Sequence, residues 1–449
     1  MKLIFRILKQ FVVRPLYFLA FIGARVRSPF LVAVSWYLLT VRTRTYGTSK
    51  NKRRLLALPK SGGPEDLYAS LETMEDCNIE VWTLVRKAVG EVMYAFLPQS
   101  ITTDYVYASS DSKVELAKKR YRDFLKAIWR YYGAWKRISA VIGFSIFYSS
   151  EREFAVAVEE LGTPFIILFK EGAKSVAEHK RDEKIYQFRL GSTGRAISVY
   201  NQEERDVIVH SGFAREDQVV ITGCPRIDSL HALRRSGNKG AEQGLVVFFS
   251  FSPAIGVGLP WVEDEWWGNA LSPPVPKPFT WEELGRSTHL ALVELARKRP
   301  DLQVIIKVKV GKENEDFIDA VLPSSLPSNL KVIKRGLGES LVPRASVIVG
   351  FNSTAVLSAI AAGKPVIVPR FGEALLPGAE HCMFEYGEAV SWAHSQEELV
   401  RLVEDAATNP KKPATDLSPA SKRALERYVG NPDGKAGERM AAFILRNLP

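Results

Sequence analysis

Four short stretches of the chain carry side chains whose type and spacing could do chemistry. The most specific is Val349-Gly350-Phe351-Asn352-Ser353-Thr354, a buried-strand pattern that runs into a helix of small residues and on to Gly363-Lys364-Pro365. Asn352, Ser353 and Thr354 would then sit at a helix N-terminus, where backbone N–H groups, hydroxyls and the helix dipole converge on one anion. Helix capping by Ser or Thr explains part of the same pattern. A phosphate group is the natural ligand. Lys307 and Lys309 close the apolar run that starts at Gln303, and the two-residue strand period points both to one face, suited to phosphate or to a solvated edge. Phe169-Lys170-Glu171-Gly172 follows another apolar run. Glu171 could act there as a general base beside Lys170 and a flexible Gly172, or be part of an ordinary turn. Gly223-Cys224-Pro225-Arg226 is the fourth. Gly223 permits close approach, Pro225 stiffens the turn and Arg226 offers a two-pronged donor, although a hinge explains the same residues. Gly191-Ser192-Thr193-Gly194, the acidic run Glu263-Asp264-Glu265, Trp266, Trp267 and four isolated histidines are weaker and read as turns, solvated faces or packing.

The elements that must hold these residues alternate. Strands are expected at Ala140–Phe147, Pro164–Phe169, Ala196–Tyr200 and Gln218–Thr222, with helices at Glu151–Leu161 and Gln202–His210. After the polar stretch 236–244 the alternation restarts. Strands are expected at Leu245–Phe251, Gln303–Lys309, Leu330–Ile333, Ala345–Val349 and Pro365–Val368, and helices at Trp281–Lys298 and Thr354–Ala362. Such alternation implies parallel sheets with helices on their faces, and ligands bind outside the carboxyl ends of such strands. Upstream, 48–65 reads as a linker, Leu67–Leu97 as a long helical region and Ser112–Trp135 as an amphipathic helix. Gly256–Phe279, rich in Pro and Trp, reads as a functional loop or lid. The expected division is a segment 1–54, α/β domains at 66–235 and 245–415, and C-terminal helices at 416–449; 449 residues are about twice what one core organises.

Charge assigns the first of these pieces. The formal net charge is +11, yet residues 1–54 hold 12 Lys and Arg and no Asp or Glu, leaving 49 basic against 50 acidic residues in the rest. A body so nearly neutral carries no basic groove for nucleic acid, while the segment suits an anionic membrane surface. Its apolar runs, Phe11–Ala24 and Phe30–Val41, are each shorter than the ~20 residues of a spanning helix. Helices lying in the interface are therefore expected, at the cytoplasmic face of the plasma membrane. Deleting 1–54 should then release the protein from membranes and spare nucleotide binding. Cys77, Cys224 and Cys382 are far apart, no histidine pair has zinc spacing, and neither a metal nor a cofactor is expected.

In this order the four stretches make the chain resemble the GT-B glycosyltransferases that build bacterial surface and capsular polysaccharides. It is most similar to the sialyltransferase-like group that uses CMP-sugars, and more distantly to the teichoic-acid glycerophosphotransferases. The resemblance implies an α/β chain of two Rossmann-like domains facing a central cleft, with the N-terminal segment on the membrane. It makes Glu171 the catalytic base of an acidic-acidic-Gly motif whose first residue here is Lys170, and makes Ser353 and Thr354 the donor-phosphate pair. The family's His-Pro is absent, and Lys307-Val308-Lys309 stands in its place. The implied reaction is inverting, metal-independent transfer from a CMP- or UDP-linked sugar to a lipid-linked saccharide. The alternatives are a nucleotide-sugar 2-epimerase-like enzyme and a catalytically silent assembly subunit.

Overall fold

The computed structural model describes residues 13–74, 77–97, 107, 111–188, 191–237, 240–257, 279–336, 338–409 and 415–449. It is a mixed α/β chain of two compact units, each Rossmann-like and built on its own sheet. The first contains residues 1–171, 184–226 and 437–449, and the second contains 172–183 and 227–436.

The first unit's sheet has seven strands. They are β1 (Val41–Tyr46), β2 (Arg53–Ala57), β3 (Ile79–Thr83), β4 (Ala140–Gly143), β5 (Phe165–Leu168), β6 (Ala196–Val199) and β7 (Val219–Ile221). Their order is β1-β3-β2-β4-β5-β6-β7, with β1 antiparallel to β3 and the remaining pairs parallel. Strands buried on both faces read as continuous apolar runs, which is how Phe165-Ile166-Ile167-Leu168 can be found in the sequence. The core joins Leu55, Leu67, Ile79, Val81, Ile142 and Ile166 to Met440, Phe443 and Ile444 of the last helix, Ala436–Asn447. The end of the chain thus completes the first core, and 416–449 is not one separate piece.

The second sheet is wholly parallel. It comprises β8 (Leu245–Phe249), β9 (Gln303–Lys307), β10 (Leu330–Ile333), β11 (Val347–Val349), β12 (Val366–Pro369) and β13 (Ser391–Ala393), in the order β10-β9-β8-β11-β12-β13. The chain passes between units at Glu171/Gly172, Glu183/Lys184, Arg226/Ile227 and Ala436/Gly437, and none of these crossings falls in the expected boundary at 236–244. Most of the expected lid, with Trp266, Trp267 and Glu263-Asp264-Glu265, lies outside the described residues.

The N-terminal segment differs most from expectation, because it is not a detachable tail. Helices Arg14–Arg25 and Pro29–Leu39 form a hairpin whose second member starts with Ser28 as cap and Pro29 at the first position, a standard helix opening. A Cβ at Gly23 would lie 3.0 Å from both Leu31 and Val32, so the bare backbone allows the close crossing. Trp36 is fully buried. Its Nε1 donates to the Ala88 carbonyl at 3.3 Å, and its ring stands edge-on to Tyr132 and Phe154 at 5.8 and 5.6 Å. Thr40 shares a 2.7 Å hydrogen bond with Tyr132. Residues 41–46 and 53–57, expected as tail and linker, are β1 and β2. The expected helix 67–97 is instead helix Gly63–Glu72, β3 and helix Arg86–Met93. Ile79-Glu80-Val81-Trp82-Thr83 is a strand sequence that the flanking helical residues conceal. Among the described residues no helix is long and apolar enough to cross a membrane.

This integration reverses the expected result of truncation. Deleting 1–54 removes β1, the start of β2 and Trp36, so the product should show no cooperative melt by circular dichroism. Trp36→Ala alone should cost about 3–5 kcal/mol in chemical denaturation. A truncated chain that melts like the full one would contradict this packing.

Candidate functional site

In the first unit the residues of interest gather at the carboxyl ends of the parallel strands. Lys60 follows β2, and its ammonium lies 2.5 Å from Glu171 Oε1, just after β5. Lys170 Nζ is 3.8 Å from the same oxygen. The Lys60 ammonium also faces the rings of Phe147 and Tyr148, after β4, at 5.9 and 5.1 Å. Burial holds Lys170 below the ordinary lysine range; Glu171 opposes that shift, and Lys60 and Arg226 reinforce it. Glu171 itself is only partly covered. The sequence places it correctly after a strand but gives no hint of Lys60, which sits in a Pro-Lys-Ser-Gly-Gly-Pro stretch that reads as linker.

Beneath this group lies Asp66, fully buried in helix Gly63–Glu72. Its Oδ2 accepts from Tyr200 at 2.5 Å and from Arg226 Nη1 at 3.0 Å. Its Oδ1 accepts from the Arg226 backbone N–H at 3.3 Å and from the Cys224 thiol at 3.7 Å. Arg226 Nη1 also donates to the Gly62 carbonyl at 2.9 Å. Burial raises the Asp66 pKa, against the pull of Arg226 and Tyr200. Arg226 is therefore turned inward as a clamp, and its guanidinium is not the open oxygen-binding fork the sequence suggests. Gly223 (φ +81°) and the 3-10 turn Pro225–Ile227 bend the chain so that both the backbone and the side chain of Arg226 reach Asp66. Gly172, the first residue of the second unit, is buried.

A third carboxylate, Glu151, sits in the first turn of helix Ser149–Glu160, with only 4% of its surface exposed. Arg86 Nε approaches Oε1 to 2.7 Å, but the alignment is poor and neither Glu151 oxygen has a well-formed hydrogen bond among the described residues. The carboxylate lines a cavity of about 20 Å³ with Ser145, Tyr148, Ser192 and Thr193, room for a single water. Burial pushes its pKa up to about 7, despite the opposing charges of Arg86 and Lys60.

In the second unit β11 delivers Asn352 and Ser353 to helix Thr354–Ala361, as the sequence predicts. Ser353 caps the helix, its hydroxyl accepting from the Ala355 N–H at 3.2 Å, and Thr354 beside it is half-buried. Asn352 has another task. Its Nδ2 donates to the Cys382 carbonyl and its Oδ1 accepts from the Phe384 N–H at 2.9 Å, so this buried amide fastens the 382–384 loop and does not face a ligand. That loop leads to Tyr386, a fully buried phenol whose hydroxyl faces the Ser353 backbone N–H without a well-formed hydrogen bond among the described residues. No sequence pattern marks Tyr386. Lys364 spends its ammonium on the Pro343 and Ala345 carbonyls at 2.8 and 2.7 Å, and burial lowers its pKa to about 8.

Lys307 and Lys309 do not act as a pair. β9 ends at Lys307, which is buried, lowered in pKa by that burial, and bonded through Nζ to the Val308 carbonyl at 2.9 Å. Lys309 lies past the strand and is exposed. The strand period fails here because the strand stops before it reaches the second lysine. β8 separates β9 from β11, so Lys307 starts roughly 10 Å, two strand spacings, from the Ser353 strand. Among the described residues no three His, Cys, Asp or Glu side chains converge where a metal ion could sit.

No family model matches the chain, and no curated protein matches it. Among solved structures it is similar to the UDP-GlcNAc 2-epimerase of Methanocaldococcus jannaschii, at 12% identity over 88% of this chain and 99% of that one, with a TM-score of 0.48. It is similar to the UDP-GlcNAc 2-epimerase of Neisseria meningitidis bound to UDP-GlcNAc, at 12% identity over 88% and 100%, TM-score 0.44. The glycotransferase of kitacinnamycin aligns at 14% identity over 90% and 100%, TM-score 0.44. Identities and scores this low leave the chemistry of the site to rest on the chain's own residues.

Glu151 makes the fold sensitive to pH. Its folded pKa is raised, so its contribution to stability is complete below the ordinary glutamate value of about 4.5 and is lost as pH rises through about 7. A shift of that size corresponds to about 3 kcal/mol. Glu151→Gln, which never ionises, should therefore gain about 3 kcal/mol on the parent between about pH 4 and about pH 8 in urea melts. A difference that does not change with pH would show that the carboxylate is well solvated.

Proposed function

We propose that the protein is a membrane-associated glycosyltransferase, moving a sugar from a CMP- or UDP-linked donor to a lipid-linked saccharide with inversion. In this reading the second unit holds the donor phosphate at the start of helix Thr354–Ala361. Ser353, Thr354 and the helix N–H groups stabilise the charge that gathers on the leaving phosphate. Glu171 takes the proton of the acceptor hydroxyl. The hydroxyl oxygen bonds to the anomeric carbon, and the bond from that carbon to the phosphate oxygen breaks, its electron pair leaving with the nucleotide. The observation that carries the reading is the strand-to-helix junction at Ser353, where a capped helix start meets the buried Tyr386 hydroxyl. The base assignment is supported by the position of Glu171, which the Lys60 ammonium holds at 2.5 Å just past the carboxyl end of β5.

Lys307 and Asn352 have no direct part in this mechanism, because their polar groups are bonded within the second unit. Lys309 is exposed and available to a nucleotide phosphate. The absence of Asp and Glu from residues 1–54 supports a lipid-linked acceptor, because the Lys and Arg of that segment suit an anionic membrane surface.

The assay is incubation with CMP- and UDP-sugars, with and without membrane lipid extract, followed by mass spectrometry. Transfer predicts nucleotide release that depends on lipid. An isomerised sugar without lipid would identify an epimerase, and binding without turnover a silent subunit. Glu171→Gln should abolish transfer and leave donor affinity within about twofold, whereas Ser353→Ala with Thr354→Ala should weaken nucleotide binding about tenfold. Full activity in Glu171→Gln would remove it as the base.

A further inference from the structure

We infer that the protein docks on an anionic lipid bilayer through an aromatic patch that two distant parts of the chain build together, helix Pro29–Leu39 and the C-terminal end of helix Ser112–Lys136. Four rings form it. Phe30 stands edge-on to Tyr131 at 5.9 Å and to Trp135 at 5.8 Å. Tyr37 stands edge-on to Trp135 at 6.1 Å, and Tyr131 and Trp135 meet at 5.9 Å. Phe30 is 50% exposed, Tyr37 and Tyr131 43%, and Trp135 41%. Scattered exposed apolar residues need no explanation, but a contiguous cluster of large rings marks an interaction surface. Their opposite faces are not equivalent: Trp36, one residue before Tyr37, and Tyr132, one after Tyr131, are fully buried. The two helices therefore place one set of aromatics in the core and a second set outside.

Charge selects the occupant. Lys136, itself buried, holds its ammonium under the patch, 3.8 Å from the Tyr37 ring centroid and 4.5 Å from that of Trp82. Trp82 in turn carries Arg42 and Arg54 at 6.0 and 5.8 Å. Arg130, adjacent to Tyr131 in the sequence, and Arg137, two residues after Trp135, are exposed. Glu80, an acid at this rim, is bound to Arg42 and Arg54 at 3.2 and 3.0 Å. The sequence has no Asp or Glu from 13 to 54 or from 124 to 150, the two segments that supply the patch. Two copies meeting through this face would bring like charges together, which disfavours self-association. A bilayer of anionic headgroups satisfies both features, because amphipathic rings settle at the headgroup level while Lys and Arg meet the phosphates.

The inference goes beyond the transferase reading and does not rest on it, since docking is measured without donor or acceptor. It also relocates the footprint. Part of residues 1–54 is core and sheet, and half of the patch comes from Tyr131 and Trp135.

The test is sedimentation of the full chain with vesicles of phosphatidylcholine, alone or mixed with phosphatidylglycerol. Binding should require phosphatidylglycerol and weaken as salt is raised. Phe30→Ser with Trp135→Ser should lower the partition coefficient about tenfold or more at an unchanged melting temperature. Should that variant fold poorly, Arg130→Glu with Arg137→Asn leaves the rings intact and should reduce binding to mixed vesicles at low salt. Asn tolerates the left-handed backbone at 137 (φ +51°). Three results would overturn the inference: equal binding to both vesicle types, well-folded variants that sediment like the parent, or a parent dimer that the ring variant converts to monomer.

Discussion

The first unit is organised around one buried carboxylate. An isolated charge in the interior costs several kcal/mol, so Asp66 can be kept only where donors surround it. Tyr200, Cys224 and Arg226, from the turns that follow β6 and β7, converge on a helix that follows β2. Arg226 also ties down Gly62, whose left-handed backbone (φ +85°) leaves room for the guanidinium where a Cβ would lie 3.0 Å from Nη1. Fixing Gly62 fixes the turn that carries Lys60, and Lys60 is the partner of Glu171. The placement of the partly covered Lys60–Glu171 pair is thus a consequence of the buried Asp66–Arg226 pair, whose carboxylate lies six residues further along, in the helix that the turn opens. The chain leaves the first unit after Glu171 and again after Arg226, both members of this group.

The second unit solves a simpler problem. A wholly parallel sheet delivers every strand's carboxyl end to one edge, and a short strand followed by Ser353 opens a helix there. What holds the opening in place is unusual. Asn352 bonds the 382–384 loop with both ends of its amide, and that loop carries Tyr386 to the Ser353 N–H. Polar residues that look like ligands in the sequence are therefore divided between those that build the site and those available to occupy it.

Much of this was legible beforehand, and the failures share a cause. Fully buried parallel strands announce themselves as short apolar runs, and Leu330–Ile333 and helix Gln202–His210 begin and end where the pattern says. The strand-to-helix junction at Ser353 was legible for the same reason. The N-terminal region was not, because an apolar, basic, aromatic-containing run has the same composition whether it lies on a lipid surface or packs beneath a sheet. Trp36 and Tyr37 are adjacent and do opposite things, and only tertiary contacts distinguish them. Side-chain roles failed similarly. Arg226, Lys307 and Lys364 look like anion binders by type, yet each has its donors spent on a neighbouring carboxylate or carbonyl, which spacing alone does not reveal.

The central claim is that the Ser353 junction receives the phosphate of a nucleotide sugar. A crystal structure of the full chain with CMP or UDP bound tests it most directly. The account predicts a phosphate oxygen within hydrogen-bonding distance of the Ser353 or Thr354 backbone N–H or hydroxyl groups, with Arg226 still on Asp66. A nucleotide bound with its phosphate elsewhere, or Arg226 turned away from Asp66 to meet it, would contradict the account.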